Sequence, residues 1–359
     1  MKNNFYIVLM AGGSGTRLWP MSRKDKPKQF QKFSSQKSLL QETYDRIKDL
    51  VPKENIYVSL TSDVVDGARE QLPRILKDNF IIEPEAKNTA PATGLAAAKI
   101  FLLNPNAIIA TVASDHTIEK VGNYQQAINH FFDFVKKNPK YLAAIGIKPT
   151  RPDTGFGYIK VGKKIEGSNL YQVEQFVEKP NLETAKKYLA SGNYLWNGCY
   201  FAFHAGELLK VFSKYEPNIY RGLKNILKAF GQKDEAKIIQ DEYANFEKVP
   251  IDTAIAEKYD KLAVIPADME WSDVGTWASL YDLLSKREKE HTISQGHHIG
   301  IDNKNCLIYG GDKLLATVGL EDIIIVDTPD VTLVCNKNKS QDVKKLIDKL
   351  KEEGKSSYL

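Results

Sequence analysis

The sequence of 359 residues has few cysteines and no long hydrophobic run. Its three cysteines, Cys199, Cys306 and Cys335, are scattered and include no C-x-x-C pair, which argues against a disulfide framework or a zinc site. No apolar run approaches the roughly 18 residues of a transmembrane helix, and the apolar run near the N-terminus lacks the charged start of a secretory signal peptide. We therefore expect reduced cysteines, a cytoplasmic location and no association with a membrane.

The sequence also lacks the features of a nucleic-acid-binding protein. Its formal net charge is only +5, and acidic residues are interspersed with basic ones along most of the chain, as in residues 344–355. No block of aromatic residues interleaved with arginines, of the kind that binds single strands, is present. This charge pattern suits a small anionic substrate better than a nucleic acid.

Short runs that are apolar on both faces alternate with helical patterns in the first 150 residues. Ser38 and Gln41 have the spacing of a capping box and predict a helix over 38–50. A second helix is predicted over 91–103, which begins with proline and is rich in alanine and leucine. The strand-like runs are 5–11, 106–113 and 141–147. This alternation predicts a doubly wound, mostly parallel sheet.

The pattern changes twice further along the chain. After residue 150, strand patterns punctuated by glycine and then mixed helices indicate a second half of the same domain. From about residue 295, short β-rich runs recur about ten residues apart and predict a small β-rich appendage with a terminal helix over 340–353. We therefore assign residues 1–288 to a catalytic domain and residues 289–359 to a small β-rich C-terminal domain.

A glycine-rich loop follows the first predicted strand. Its residues are Ala11, Gly12, Gly13, Ser14, Gly15 and Thr16. Glycines after a strand let backbone amide groups point at an anion, although a simple tight turn is the alternative. The loop lacks the G-K-[ST] ending of a P-loop, and Leu18 replaces the third glycine of a dinucleotide site, which argues against a nicotinamide-dependent dehydrogenase. Arg17 and Lys28 then supply two cations suited to phosphate oxygens.

The stretch AGGSGTRLWPMSRKDKPKQF (11–30) resembles the N-terminal motif of the sugar-phosphate nucleotidyltransferases, G-G-x-G-T-R-L-x-P followed by a P-K-Q lysine. Its tryptophan-proline pair and its S-R-x-x-x-P-K-Q-F continuation are similar to the mannose-1-phosphate guanylyltransferase branch. The resemblance runs from residue 5 to about residue 335. It implies the nucleotidyltransferase fold, an α/β fold with a Rossmann-like, mostly parallel mixed sheet flanked by helices, and a small C-terminal β-rich domain like a left-handed β-helix. We do not expect the phosphomannose isomerase domain of the longer relatives.

Two aspartates match the metal-binding motifs of this family. Asp115 ends the predicted strand in TVASDH, where ligands of open α/β sheets bind, and Asp273 lies in WSDVGTW, which resembles W-x-D-V-G. Mg²⁺ prefers one or two carboxylates together with phosphate oxygens. From the residues alone, each aspartate could instead cap a helix, with that of Asp273 starting near Val274. We interpret His116 as a structural histidine.

EPEAKNTAPA (83–92) is similar to the family segment that lies by the nucleotide base, with Lys87 in place of the usual arginine. In this role Glu83 would accept hydrogen bonds from guanine, and Asn88 and Thr89 would fix the base or the ribose. The alternative is a loop in which Asn88 or Thr89 caps a helix.

FVEKP (176–180) resembles the sugar-side motif of the family. The resemblance implies that Glu178 holds sugar hydroxyl groups and that Lys179 meets the sugar phosphate, whereas an isolated pair of this kind is usually a surface ion pair. GFGYIK is similar to the family loop whose glycines, here Gly157, let the backbone approach the sugar.

Two further segments are similar to family motifs. LWNGCYFAF (195–203) keeps Asn197 of the W-N-S-G-x-F motif, but Gly198 and Cys199 replace the serine and the glycine. IDTAIAEK (251–258) is similar to I-D-x-A-I-x-E-K and predicts a helix whose acids steady the site.

The resemblance implies transfer of GMP from GTP to mannose 1-phosphate, with Mg²⁺ as cofactor and pyrophosphate as the second product. The sugar phosphate would attack in line, and Arg17, Lys28 and Lys179 would neutralise the phosphate charges. A nucleotidyltransferase for another sugar 1-phosphate or nucleotide, and a non-catalytic subunit that senses nucleotide sugars, remain alternatives. We also expect a homodimer.

Overall fold

The computed structural model describes residues 4–13, 15–33, 35–286 and 292–359. Ser14, which belongs to the predicted phosphate loop, lies outside the described residues. The predicted domain boundary between residues 288 and 289 also lies outside them. No helix in the described part of the chain is long and apolar enough to cross a bilayer.

A nine-stranded mixed sheet forms the centre of the first 286 residues. The strands before residue 287 are β1 (Phe5–Met10), β2 (Ile56–Thr61), β3 (Phe80–Glu83), β4 (Ile108–Ala113), β5 (Thr117–Ile118), β6 (Leu142–Ile147), β7 (Tyr158–Lys164), β8 (Tyr171–Val177), β9 (Tyr194–His204), β10 (Leu262–Pro266) and β11 (Trp271–Ser272). The order in the sheet is β3-β2-β1-β4-β9-β6-β10-β8-β7, and β5 pairs separately with β11.

Most strands of this sheet run in one direction, and only β8 and β9 run against the others. β1 pairs in parallel with β2 and β4, β2 with β3, and β6 with β10. β9 lies between β4 and β6 and runs antiparallel to both. The residues that follow β1 and β4 therefore lie at the same edge of the sheet as the first residues of β9. This arrangement confirms the prediction of a mostly parallel mixed sheet, and ligands of such sheets bind at this edge.

Helices cover both faces of the sheet. The α-helices among the described residues are α1 (Leu39–Ile47), α2 (Val65–Gln71), α3 (Thr89–Leu103), α4 (Val121–Lys137), α5 (Leu182–Ser191), α6 (Ala205–Tyr215), α7 (Pro217–Ala229), α8 (Glu235–Ala244), α9 (Trp277–Ser285) and α10 (Val343–Glu352). Ser38 and Gln41 form the predicted capping box of α1. Two separate hydrophobic clusters contain buried residues of the sheet, such as Ile7 in one and Val8 in the other, because alternate side chains of a strand point to opposite faces.

The C-terminal strands form two parallel ladders. They are β12 (Ile293–Gln295), β13 (His298–Ile301), β14 (Leu307–Tyr309), β15 (Leu315–Val318), β16 (Ile323–Asp327) and β17 (Thr332–Asn336). β12, β14 and β16 pair in parallel, β13 pairs in parallel with β15, and β17 joins β16 antiparallel. Strands that alternate between two parallel ladders are typical of a β-helix, which agrees with the predicted β-rich appendage.

A third hydrophobic cluster joins the C-terminal strands to the segment after the glycine loop. It includes Leu18, Trp19 and Phe33 together with Leu307 and Leu333. The indole of Trp19 also donates a hydrogen bond to the carbonyl of Tyr358 (2.6 Å), and the hydroxyl of Tyr309 donates one to the carbonyl of Lys32 (2.9 Å). The C-terminal unit therefore packs directly against the segment that carries Arg17 and Lys28.

Candidate active site

The glycine loop is held by the segment that contains Lys28. The buried side chain of Gln29 donates a hydrogen bond to the carbonyl of Ala11 (2.6 Å). Gly15 has a φ of 61°, and a Cβ atom at this position would lie 2.2 Å from the Cβ atom of Lys28. A glycine is therefore required at position 15 both for the backbone conformation and for the close approach of the lysine.

Arg17 projects from a short 3₁₀ turn, Thr16–Leu18, directly after the loop. Leu18 is completely buried and anchors this turn in the third hydrophobic cluster. Arg17 is exposed, and no described residue forms an ion pair or a side-chain hydrogen bond with it. Gly12 and Gly13 are exposed beside it. An anion can therefore approach the guanidinium and the loop from solvent.

Lys28 connects the two predicted metal ligands. Its side chain is buried, and Nζ donates hydrogen bonds to Oδ2 of Asp115 (2.8 Å) and to the backbone carbonyl of Asp273. Burial disfavours the ionised carboxylate of Asp115, but the Lys28 ammonium holds its pKa below the usual value. Burial and the charge of Asp115 raise the pKa of Asp273, although Lys28 opposes this effect. The two carboxylates and the ammonium thus form one electrostatic unit.

His116 supports Asp115. The indole of Trp271 donates a hydrogen bond to Nδ1 of His116 (3.0 Å), and the hydroxyl of Tyr200 lies 3.0 Å from the same nitrogen. Because an indole N–H can only donate, Nδ1 accepts and the ring proton lies on Nε2, which is 3.5 Å from Oδ1 of Asp115. Burial lowers the pKa of His116 to about 4, so the ring is neutral. This network agrees with the interpretation of His116 as a structural histidine.

The chemistry of Asp115 and Asp273 fits a hard divalent cation. Both side chains are partly exposed, and burial, with a further contribution from the charge of Asp115, raises the pKa of Asp273, so that a cation would favour its ionised form. No group of three or more potential ligands is arranged around a metal site among the described residues. Two carboxylates would therefore bind Mg²⁺ together with substrate and water oxygens, as this ion prefers. Asp273 does not cap a helix, because α9 begins at Trp277 and Thr276 is its N-cap.

Glu83 lies behind the glycine loop. Its carboxyl group accepts hydrogen bonds from the hydroxyl groups of Ser59 (3.2 Å) and Tyr243 (3.1 Å). Burial raises the pKa of Glu83 to about 7, and these two hydrogen bonds limit the rise. A Cβ atom at Gly12 would lie 3.7 Å from Oε1 of Glu83. The structure therefore places Glu83 next to the loop, and its contact with a base stays a prediction.

Asn88 and Thr89 lie at the start of α3. Oδ1 of Asn88 accepts a hydrogen bond from the backbone N–H of Thr89 (2.8 Å) and caps the helix, as the alternative interpretation expected. The hydroxyl of Thr89 accepts a hydrogen bond from the backbone N–H of Ile251 (2.8 Å). Both side chains are therefore used within the fold, and their roles in binding a nucleotide stay predictions.

The predicted sugar-side residues form a separate cluster. A Cβ atom at Gly157 would lie 2.5 Å from Oε2 of Glu178 and 3.3 Å from Cβ of Asn197. The ammonium of Lys179 forms an ion pair with Oε1 of Glu178. Gly157 is therefore the residue that allows the acid and the amide to converge beside the backbone of the loop.

Two acids of the segment 251–258, which the sequence predicted to steady the site without assigning them a contact, complete this cluster. Nδ2 of Asn197 donates a hydrogen bond to Oδ1 of Asp252 (2.6 Å), and the backbone N–H of Glu178 donates one to Oε1 of Glu257 (2.8 Å). Burial, followed by the charge of Glu178, raises the pKa of Asp252 to about 7. The segment Asp252–Ala256 is a π-helical turn rather than the predicted regular helix. Its I-D-x-A-I-x-E-K motif was the available signal for both acids.

The fold is that of a nucleotidyltransferase. The family model described as "Nucleotidyl transferase" matches residues 6–290, and the model described as "MannoseP isomerase/GMP-like beta-helix domain" matches residues 296–350. The chain therefore belongs to the nucleotidyl transferase family. Enzymes of this family generally use a divalent metal ion.

Several known proteins resemble nearly the whole chain. Proteins named mannose-1-phosphate guanylyltransferase from Klebsiella pneumoniae and Escherichia coli are 37% and 36% identical to it. Each alignment covers 98% of this chain and 75% of the relative. A crystal structure from Thermus thermophilus, described as a mannose-1-phosphate geranyltransferase, is 29% identical with a TM-score of 0.86, over 97% of this chain and 99% of that one.

Proposed function

We propose that this chain transfers GMP from GTP to α-D-mannose 1-phosphate and releases GDP-mannose and pyrophosphate. The observation that carries the proposal is the unit of Lys28, Asp115 and Asp273 beside the glycine loop. This unit combines a cation for phosphate with two carboxylates for a metal, at the sheet edge where ligands of such folds bind. The names of relatives that match nearly the whole chain support GTP and mannose 1-phosphate as the substrates.

The proposed reaction needs positioning and charge neutralisation rather than a general base. A sugar phosphate oxygen forms a bond to the α-phosphorus of GTP, and the bond from that phosphorus to the bridging oxygen breaks as pyrophosphate leaves. The attacking oxygen is already anionic, so no proton has to be removed. Mg²⁺ held by Asp115 and Asp273 would neutralise phosphate charge when it is bound.

Each cation has a distinct part in this proposal. Two acceptors take two of the three N–H groups of Lys28, which leaves one for a phosphate oxygen. Arg17 and the loop amide groups of residues 11–16 would bind the departing pyrophosphate. Lys179 would neutralise the sugar phosphate, while Glu178, Asn197 and the backbone at Gly157 would hold the sugar. Glu83, Asn88 and Thr89 would border the guanine nucleotide.

The test is pyrophosphate release with Mg²⁺ across four nucleoside triphosphates and several hexose 1-phosphates. We expect the highest kcat/KM with GTP and mannose 1-phosphate. A preference for UTP or dTTP would contradict the guanylyl assignment, and a preference for another hexose 1-phosphate would contradict the sugar assignment. An absence of turnover with every pair would favour a regulatory subunit that senses nucleotide sugars.

The proposed metal role predicts the effect of Asp273→Asn. Loss of one charged group that stabilises the transition state costs about 3 kcal/mol, so we expect kcat to fall roughly a hundredfold. The control is Asp133→Asn, which removes the charge of an exposed aspartate on α4. Full activity of Asp273→Asn would contradict the proposed role.

We also propose that the reaction takes place in the cytoplasm and that the active form is a homodimer. The three cysteines are free thiols, which supports a reducing compartment. Light scattering coupled to size-exclusion chromatography tests the dimer, and a mass of about 40.5 kDa would show a monomer.

A further inference from the structure

Cys199 has an unusual backbone conformation beside the sugar-side cluster. Cys199 lies within the segment that resembles the W-N-S-G-x-F motif. Gly198 replaces the serine of that motif, and Cys199 replaces its glycine. Cys199 has a φ of 58°, in the left-handed region that glycine adopts easily and that a side chain makes costly. The chain therefore carries a side chain where the family pattern has none, in a conformation that still suits glycine.

The structure also explains why position 198 carries glycine rather than the serine of the motif. A Cβ atom at Gly198 would lie 3.1 Å from Cδ2 of Tyr200 and 3.2 Å from the carbonyl of Ile145. The ring of Tyr200 is buried against His116, so it has little room to move. A serine at position 198 would press on this ring, whereas the side chain at position 199 extends from an exposed residue. Compared with the motif, this chain therefore lacks a side chain at the packed position 198 and has one at the open position 199.

The thiol lies beside the sugar-side cluster. Its Sγ atom is 3.9 Å from Nδ2 of Asn197, and the backbone N–H of Cys199 donates a hydrogen bond to Oδ1 of Asn197 (3.1 Å). Burial by surrounding protein atoms raises the pKa of this thiol, and the charges of Asp252, Glu178 and Asp115 add to the effect. The side chain of Cys199 thus adjoins Asn197 of the sugar-side cluster, and the residue keeps a surface open to solvent.

We propose that the side chain of Cys199 contacts the hexose ring of the bound sugar 1-phosphate and restricts which hexoses the site accepts. The inference rests on the proposed function, because it takes the cluster of Glu178, Lys179 and Asn197 as the sugar site. Its basis is steric: one extra or missing methylene-sized group in a substrate pocket changes discrimination by about 10–200-fold.

The first test measures access to the thiol. The purified protein is treated with methyl methanethiosulfonate at a fixed pH, and modification of Cys199 and Cys335 is followed by mass spectrometry. We expect saturating mannose 1-phosphate to slow modification of Cys199 at least fivefold and to leave Cys335, in β17 of the C-terminal unit, unaffected. Equal modification of Cys199 with and without every hexose 1-phosphate tested would overturn the inference.

The second test measures discrimination. We expect Cys199→Gly to reduce the ratio of kcat/KM for mannose 1-phosphate over glucose 1-phosphate about tenfold. Cys199→Ser, which keeps a side chain of similar size, should retain the ratio within about threefold. Cys335→Ser is the control for loss of a thiol elsewhere. A wild-type ratio in Cys199→Gly would overturn the inference.

The two proposals fail in different ways. If another hexose 1-phosphate protects Cys199 and is the preferred substrate, the mannose assignment is wrong and the role of Cys199 stands. If mannose 1-phosphate and GTP are the substrates but neither protection nor altered discrimination is seen, only the role of Cys199 is wrong.

Discussion

At the scale of single residues, Glu83 is a carboxyl group beside the glycine loop whose protonation changes near neutral pH. Burial raises its pKa to about 7, from 4.5 for a solvated glutamate. The folded protein therefore binds a proton that the unfolded chain releases near pH 4.5. The stabilisation from this proton is complete below about pH 4.5 and is lost as the pH rises through about 7.

We therefore predict that Glu83→Gln, which mimics the protonated acid, becomes more stable relative to the wild type as the pH rises. The difference in unfolding free energy should increase by up to about 3 kcal/mol between pH 5 and pH 8. Urea unfolding of the ligand-free protein at several pH values measures it. The exposed Glu166→Gln is the control, and parallel behaviour of the two variants would contradict the shifted pKa.

A second prediction at this scale concerns Trp271. Its indole fixes the proton of His116 on the nitrogen that faces Asp115. His116 is therefore the outer partner of this proposed ligand, and loss of such a partner usually changes metal affinity 10–100-fold. We expect Trp271→Phe to raise the Mg²⁺ concentration for half-maximal activity about tenfold. Magnesium titrations of pyrophosphate release measure this effect, and a circular dichroism spectrum checks folding. An unchanged magnesium dependence would show that Trp271 only packs.

At the scale of elements, the glycine loop makes a paired prediction. Gly15→Ala would place a methyl group against Lys28 and hold alanine at a φ of 61°, which costs at least about 1–2 kcal/mol. Gly13→Ala meets no atom within 4 Å and is the matched control. We expect Gly15→Ala to lower Tm and kcat together, with Gly13→Ala close to the wild type in Tm. Equal Tm values for the two variants would contradict the close packing at Lys28.

Elements with local signals were predictable from the sequence. The capping box at Ser38 and Gln41 depends on residues three apart, and it starts α1 as predicted. The C-terminal strand runs were likewise predicted from local patterns. The antiparallel direction of β9 was not predicted, because it depends on pairs such as Thr111 with Phe201 that are far apart in the chain.

The candidate site was predictable only where a motif was present. The motifs identified Lys28, Asp115 and Asp273, and these residues are in contact in the structure. Residue types alone favoured Asp273 as a helix cap, and this was wrong because Thr276 caps α9 with Ser279 as its partner. The contact of Asn197 with Asp252 was not predicted, since it needs the π-helical turn, and such a turn is set by tertiary contacts rather than by a local pattern.

At the scale of the whole molecule, the C-terminal unit and the segment after the glycine loop share one hydrophobic cluster. Leu333 is buried in this cluster, whereas Leu314 in the same unit is exposed. We predict that Leu333→Ala lowers stability by about 2–5 kcal/mol and speeds hydrogen exchange of the amides in residues 16–33. Leu314→Ala is the matched control. Faster exchange confined to the C-terminal strands would show that the two parts are not coupled.

The π-helical turn Asp252–Ala256 has a consequence for the length of this segment. Each residue of a helix turns the next side chain by about 100°, so the wider π turn sets the angle between the side chains of Asp252 and Glu257. Asp252 accepts a hydrogen bond from Asn197, and Glu257 accepts one from the backbone of Glu178. Deleting a single residue such as Thr253 would rotate one acid away from its partner. Chain length here is thus as restricted as side-chain identity, and related sequences should tolerate substitutions in this turn more readily than deletions.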